Sequence, residues 1–176
     1  MYCFIFCSNI LTGQEKSNNF PISIGYFSNY GFQPGVKVGT PFRIKNWETE
    51  RFAKSYFISP QVGFYSWIGN DFNVLVNAEI GHQRFKNQKN TFSAFSIGLG
   101  YLAESEIISF DVNLSDGNKE KNRELRNHFL TTINYEFGKK INSNWSWYGK
   151  PSWGWKLSDL SSMVVLIELG LKFNLK

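Results

Sequence analysis

The stretch Met163-Val-Val-Leu-Ile-Glu-Leu-Gly-Leu-Lys-Phe-Asn-Leu-Lys176 alternates between two kinds of side chain. Every odd-numbered position from Met163 to Leu175 is apolar, whereas the even-numbered positions turn polar and charged from Glu168 onward. Successive side chains of a β-strand point to opposite faces, so this stretch predicts a strand with one hydrocarbon face and one polar face. A soluble strand with its apolar face in a core would show the same pattern, so the rest of the chain must decide.

The same period of two recurs along the whole chain, in segments that are separated by turn signals. Their lengths suit a tilted crossing of a lipid bilayer. The pattern therefore predicts an all-β fold, a closed antiparallel up-and-down transmembrane β-barrel of about eight strands. The further strands are predicted near Phe20–Asn29, Val36–Lys45, Ser55–Trp67, Phe72–Phe85, Thr91–Ala103, Arg126–Phe137 and Trp145–Lys156.

The composition agrees with one barrel domain. The chain has 176 residues, of which 18% are aromatic. Its mean hydropathy is nevertheless only −0.29. Alternating membrane strands produce this combination, although a secreted sandwich or a calycin-like lipid binder would also fit. The formal net charge of +5 comes from scattered basic residues, which favours solvated turns over a nucleic-acid partner.

The charged residues on the non-apolar faces favour a membrane barrel over a calycin. A calycin turns its apolar face inward around a ligand, whereas an outer-membrane barrel turns it toward lipid. The interior of an eight-stranded barrel is just wide enough for side chains to fill, and an unpaired charge inside it would be costly. We therefore predict a network of ion pairs in the lumen rather than a pore. Its predicted members are Lys37, Arg43, Glu79, Glu136, Lys150, Glu168 and Lys172.

The tryptophans of the seventh predicted strand are spaced like the aromatic girdles at the two borders of a membrane. Trp155 lies ten positions after Trp145 in the chain. This is about 33 Å of strand, which a tilt near 45° projects to about 23 Å. We predict Trp145, Trp147, Trp153, Trp155 and Tyr101 as membrane-interface aromatics. A core cluster of tryptophans is the alternative.

The first fourteen residues differ in character from the rest of the chain. Met1-Tyr-Cys-Phe-Ile-Phe-Cys7 is an apolar run, and a small-residue exit follows it near Gly13. This predicts a signal peptide over residues 1–14, and the absence of Lys or Arg before the run indicates a truncated one. A misassigned start codon, or no signal peptide at all, is the alternative. Residues 15–176 then form the barrel domain.

The connection Glu104–Leu125 is the longest in the chain and has an alternation of its own. An even number of strands places both termini on the periplasmic side, so this connection falls on the extracellular side. We predict a hairpin arm that projects above the membrane and turns at Ser115-Asp-Gly-Asn118.

Over roughly residues 20–176, with patterns such as Asn77-Ala-Glu-Ile-Gly81 and Ile97-Gly-Leu-Gly-Tyr101, the chain resembles the small eight-stranded outer-membrane β-barrel proteins. They include the transmembrane domain of outer membrane protein A, and the resemblance is strongest to barrels of the uncharacterised "outer membrane beta-barrel protein" type. It implies a polar interior, residence in the outer membrane of a Gram-negative bacterium, and outer-membrane lipids as partners.

Two features depart from this family. Its members usually end on an aromatic residue, whereas here Phe173 is followed by Asn174-Leu-Lys176. Pro60 and Pro151 fall inside predicted strands, where a missing N–H is costly. Each proline marks either a bulge or a different strand boundary.

Some small barrels are lipid-modifying enzymes with Ser, His and acid residues near the outer rim. This chain has only His82 and His128. His82 is in phase with the apolar face at the periplasmic end, which leaves His128 as the only plausible base, with Glu124 and Ser115 in the adjacent loop. Their spacing shows no catalytic arrangement, so we expect no enzyme, no cofactor and no metal site.

The expected role is therefore structural, binding or that of an accessory subunit, with a protein partner meeting the extracellular loop or the barrel wall. Three alternatives stay open. They are a lipid-modifying acylase or acyltransferase, a narrow pore, and a soluble calycin-like lipid binder.

Overall fold

The computed structural model describes residues 20–29, 33–67, 71–112 and 119–175. The predicted signal peptide and the predicted turn at 115–118 lie outside these residues. A short 3-10 turn at Asn87–Lys89 connects two of the strands. The strands of the described part are β1 Phe20–Asn29, β2 Gln33–Gly39, β3 Phe42–Glu48, β4 Phe52–Trp67, β5 Asp71–Lys86, β6 Thr91–Val112, β7 Lys119–Lys140, β8 Trp145–Lys156 and β9 Asp159–Leu175.

Every strand pairs antiparallel with its neighbours, and the wall closes where β1 pairs with β9. β2 and β3 share one position in the wall because both pair with β4. The nine strands thus fill eight positions, and the predicted closed eight-stranded barrel is confirmed. Among the described residues, no helix is long and apolar enough to span a membrane.

Two prolines lie where the second wall position is broken into β2 and β3: Pro41 in the break itself and Pro60 on the neighbouring strand. The Thr40 amide donates to the Pro60 carbonyl at 3.1 Å, but Pro60 has no N–H to return a bond to Thr40. β2 therefore ends at Gly39 and β3 begins at Phe42. A bulge between Arg43 and Lys45 follows.

Pro151 interrupts a ladder in the same way. The pairing of β7 with β8 passes from Asn134 opposite Ser152 to Phe137 opposite Gly149 and skips Pro151. On its other side Pro151 stays in register with Ile167 of β9. Pro60 and Pro151 thus lie inside strands and mark local breaks in one ladder each.

The polarity of the wall is inverted relative to a soluble protein. Large apolar side chains are exposed on the outer face, as Val62, Ile80 and Leu99 illustrate. The buried inner face carries serine, asparagine, glutamate and lysine together with glycine. This arrangement follows directly from the period-two alternation of the sequence.

The barrel has two distinct ends. The end that holds Phe20 and Leu175, which we call the terminal end, has the turns at 49–51, 87–90 and 141–144. The opposite end is called the loop end. There β6 and β7 are longer than their other neighbours: the pairing of β6 with β5 ends at Ser105, and the pairing of β7 with β8 ends at Leu130. Residues 106–112 and 119–124 pair only with each other, and we call this extension the β6–β7 arm.

Candidate functional site

Four charged side chains from four strands meet in the centre of the lumen. They are Lys37 of β2, Glu79 of β5, Lys150 of β8 and Glu168 of β9, and each is at most 5% exposed. Lys150 Nζ lies 3.0 Å from a Glu79 oxygen and 3.3 Å from a Glu168 oxygen, while Lys37 pairs with Glu168. Two positive and two negative side chains balance, as burial in a narrow lumen requires. We call these four residues the central quartet.

Neutral side chains add hydrogen bonds to three members of the quartet. Ser96 donates to Glu79 at 3.2 Å, and Tyr148 donates to Glu168. Lys150 donates to the Gln61 side-chain oxygen at 3.3 Å. In the low dielectric of the lumen these bonds and the ion pairs reinforce one another.

Lys172 and Glu136 form a further ion pair on the terminal side of the quartet. The Lys172 ammonium lies 5.2 Å from the centre of the Phe92 ring and 5.1 Å from that of Tyr148. Six of the seven predicted lumen charges are therefore in ion pairs: those of the quartet together with Lys172 and Glu136.

Arg43 lies apart from this network. Its side chain is exposed, and among the described residues it forms no salt bridge. It lines a cavity of about 420 Å³ at the terminal end of the lumen, together with Lys54 and Lys140. The break between β2 and β3 places Arg43 at this wide mouth, away from the central quartet.

An apolar layer fills the lumen between the quartet and the loop end. All its members are at most 5% exposed, and two of them, Phe27 and Tyr65, meet edge to face at 5.5 Å. The layer consists of Phe27, Tyr65, Leu75, Leu102, Leu130, Val164 and Leu166. The lumen is thus closed by one ionic layer and one hydrocarbon layer.

The predicted interface aromatics lie on the outer wall near the two ends. Trp145 packs on Phe173 and Trp147 on Phe137 at the terminal end. Trp155 pairs with Met163 near the opposite end, with Trp153 two residues before it. Tyr101 contacts Phe129 edge to face at 5.8 Å, also toward the loop end.

The aromatic side chains on the outer wall at the terminal end include Trp47, which the sequence patterns did not single out. Trp47 packs against Tyr56 at 5.0 Å, and Tyr56 packs against His82 at 5.5 Å. The bulge after Arg43 turns Trp47 outward, which a strict alternation could not indicate. His82 thus lies on the outer face near the terminal end.

A second polar cluster lies at the loop-end rim of the lumen. Ser158 Oγ in the turn after β8 lies 2.6 Å from His128 Nδ1, and His128 Nε2 lies 3.3 Å from a Glu104 oxygen. Lys156 forms an ion pair with the same carboxylate. We call Glu104, His128, Lys156 and Ser158 the rim cluster.

The sequence patterns pointed to His128 but to other partners for it. Glu124 instead pairs with Arg126 at 3.2 Å on the exposed arm, and Ser115 lies outside the described residues. Glu104 lies in β6 and Ser158 in the turn after β8, so their contact with His128 depends on the register of three strands and their spacing in the chain carried no signal. No group of three or more His, Cys, Asp or Glu side chains in the described part could hold a metal ion.

Comparison with known proteins finds the fold but no family. No protein-family model and no curated protein matches the sequence. The crystal structure of the outer membrane enzyme PagL matches with a TM-score of 0.56 and 12% identity, over 88% of this chain and 99% of that chain. The N-terminal β-barrel domain of Pseudomonas aeruginosa OprF gives 0.51 and 11%, over 90% and 98%. At these identities, the likeness shows a shared small-barrel fold.

Proposed function

We propose that this chain is an integral protein of the outer membrane of a Gram-negative bacterium, in which a sealed barrel anchors the β6–β7 arm. The observation that carries this proposal is the inverted polarity of the wall, with exposed hydrocarbon outside and buried charge inside. Bilayer lipid is the solvent in which such a surface is stable. The fold shared with the outer membrane enzyme PagL supports the same location.

Outer-membrane lipids are then the partners of the wall. The exposed apolar side chains contact acyl chains, and the tryptophans near the two ends lie at the level of the headgroups. Trp145 and Trp147 mark the periplasmic border, and Trp153 and Trp155 mark the extracellular border.

The lumen supports an anchor rather than a channel. The space left beside the central quartet is only about 10 Å³. This is at the lower limit for a single water molecule. The apolar layer closes the lumen at a second level, between the quartet and the loop end.

The arm is the part of the barrel best placed to bind. It extends beyond the other strands, and its Arg123 and Glu124 side chains are exposed. Exposed segments on a rigid scaffold are common binding surfaces. We propose that a partner protein contacts the arm or the outer wall, so that the chain has a structural, binding or accessory-subunit role.

Trypsin added to intact cells is expected to cut in the arm, where Arg123 is exposed on the extracellular side. Arg51, exposed in the turn between β3 and β4 at the terminal end, is expected to be cut only after the outer membrane has been opened. The protein should fractionate with the outer membrane, and its gel mobility should change on heating as that of a folded barrel does. Cleavage at Arg51 in intact cells would reverse the orientation, and recovery in the soluble fraction would overturn the proposal.

The purified barrel is expected to show no steady conductance in a planar lipid bilayer. Two separate layers close the lumen, so the double substitution Leu75→Ala and Leu102→Ala, which opens the apolar layer, should also be silent because the quartet still blocks the path. Stable single-channel openings of the unmodified protein would contradict the sealed lumen and support the pore alternative.

A further inference from the structure

The rim cluster has the arrangement that activates a serine hydroxyl. Ser158 Oγ is within hydrogen-bond reach of one ring nitrogen of His128, and the other ring nitrogen faces the Glu104 carboxylate. A nucleophile, a base and a group that orients the base are the parts that serine acyl transfer requires. We infer that this cluster is a hydrolytic site for acyl esters of membrane lipids, with Ser158 as the nucleophile and His128 as the base.

The burial of the three side chains suits these roles. Ser158 lies exposed in the turn between β8 and β9, where a substrate carbonyl can reach it. The His128 and Glu104 side chains are only 16% and 10% exposed, so the ring is held at the rim. Lys156 forms an ion pair with the Glu104 oxygen that faces His128 and so holds the carboxylate in place. In the tautomer that carries the proton on Nε2, this nitrogen faces the Glu104 carboxylate at 3.3 Å and Nδ1 can accept the serine proton.

An apolar groove on the outer wall runs up to this cluster. It has a volume of about 910 Å³, and its upper end is formed by Tyr101, Phe129 and Leu157. Successive side chains of β7 point to opposite faces, so Phe129 lies on the outer wall and His128 on the lumen side. Leu157 connects the groove to the rim, because its amide donates to the Phe129 carbonyl at 2.8 Å and Ser158 follows it in the chain. An acyl chain in the groove would place its ester group near Ser158, which favours an ester of a long-chain acid as the substrate.

The reaction consumes one water molecule and needs no other co-reactant. The Ser158 proton passes to His128 Nδ1 as Oγ adds to the ester carbonyl carbon. When the tetrahedral intermediate collapses, the carbon–oxygen bond to the alcohol breaks, and His128 returns the proton to the departing alkoxide. Water then loses a proton to His128 and adds to the acyl carbon, the bond to Oγ breaks, and Ser158 recovers its proton. The products are the alcohol and the carboxylic acid.

The first test uses the full chain folded in detergent, a small fluorophosphonate probe that reacts with activated serines, and p-nitrophenyl decanoate as the substrate. Labelling should be lost in Ser158→Ala and strongly reduced in His128→Asn. Turnover should fall by about 10²- to 10⁴-fold in His128→Asn, because this is the usual contribution of general acid–base catalysis. It should fall at least as far in Ser158→Ala. Ser109→Ala is the matched control, since Ser109 is an exposed serine on the same side that only accepts a bond from Asn122. It should label and turn over like the unmodified protein.

Folding does not complicate this test, because the Ser158 side chain is exposed and heat-dependent gel mobility verifies each variant. The inference is overturned if the folded protein neither labels nor hydrolyses the ester, or if Ser158→Ala retains either activity.

Glu104 acts through His128 and is therefore a positioning residue. Glu104→Gln should lower kcat and leave KM unchanged, and Glu104→Asp should restore part of kcat. Lys156→Met removes the ion pair to Glu104 without removing the contact between Glu104 and His128, so it should lower kcat less than Glu104→Gln does. Equal losses in Glu104→Gln and Lys156→Met would indicate a structural ion pair instead.

The groove is tested by chain length. The ratio of kcat/KM for p-nitrophenyl decanoate to that for the acetate should be well above one. It should fall in Leu157→Ser, while labelling by the small probe stays unchanged. If Leu157→Ser does not alter this ratio of kcat/KM values, the groove does not bind the acyl chain. That result would not contradict the proposal that the barrel is a sealed membrane anchor.

Discussion

Replacement of Glu168 by glutamine is expected to destabilise the folded barrel by about 3–5 kcal/mol, the cost of removing one partner from a buried ion pair. Glu168 accepts a hydrogen bond from Tyr148 and pairs with both Lys37 and Lys150. Lys150 keeps Glu79, but Lys37 loses its only salt bridge among the described residues. One positive charge then stays buried without a counter-charge, and unfolding by urea in detergent micelles measures the loss.

Two further variants separate charge imbalance from a general sensitivity of the barrel. Glu124→Gln removes an ion pair with Arg126 whose side chains are 49% and 48% exposed, so its effect should stay within about 1 kcal/mol. The double substitution Lys37→Met and Glu168→Gln removes both partners and should recover part of the stability lost in the single variant. A single Glu168→Gln variant as stable as Glu124→Gln would show that the quartet is hydrated rather than buried.

The architecture could be predicted from the sequence because the side-chain period of a strand is a local property. The alternation placed four charged side chains on the inner face, those of Lys37, Glu79, Lys150 and Glu168. In a narrow barrel all inward-facing side chains lie close together. Their ion pairs could therefore be predicted without knowledge of the exact stagger of the strands.

Local pattern failed where the backbone departs from regular pairing. Arg43 follows the break beside Pro41 and Pro60, and it lies at the open mouth instead of in the network. Trp47 follows a bulge, which reverses the face of every later residue in its strand. A missing N–H could be recognised in the sequence, but the neighbour that it would leave unpaired could not.

The rim cluster was hidden for a different reason. Its members lie in β6, β7, β8 and the turn after β8, so the contacts depend on how far each strand is shifted against the next. That shift determines that His128 meets Ser158 rather than a hydroxyl of its own hairpin. The register in which β7 pairs with β6 and with β8 brings the four side chains together.

Substitution of Gly170 by alanine is expected to weaken the closing seam by about 3 kcal/mol, the upper end of what overpacking costs. Gly170 of β9 lies opposite Gly25 of β1, where the two ends of the wall meet. A methyl group on Gly170 would come within 2.7 Å of the Gly25 Cα and of the Tyr148 ring, and would also press on the Ile24 carbonyl oxygen. Backbone atoms cannot rotate away, so β1 and β9 would have to separate.

Gly154→Ala is the matched control, because it adds the same methyl group to an inward-facing glycine of β8. Its nearest neighbours, which include two side-chain carbons, lie 3.2 Å away and need to give way only slightly. Urea unfolding and the temperature at which gel mobility changes should therefore distinguish the two variants, with Gly154→Ala remaining close to the unmodified protein. Equal losses would mean that the seam is no tighter than the rest of the wall. A larger loss in Gly170→Ala would show that the barrel closes through the contact of two glycines beneath the Tyr148 ring, because only a strand without a side chain leaves room for both that ring and the opposing backbone.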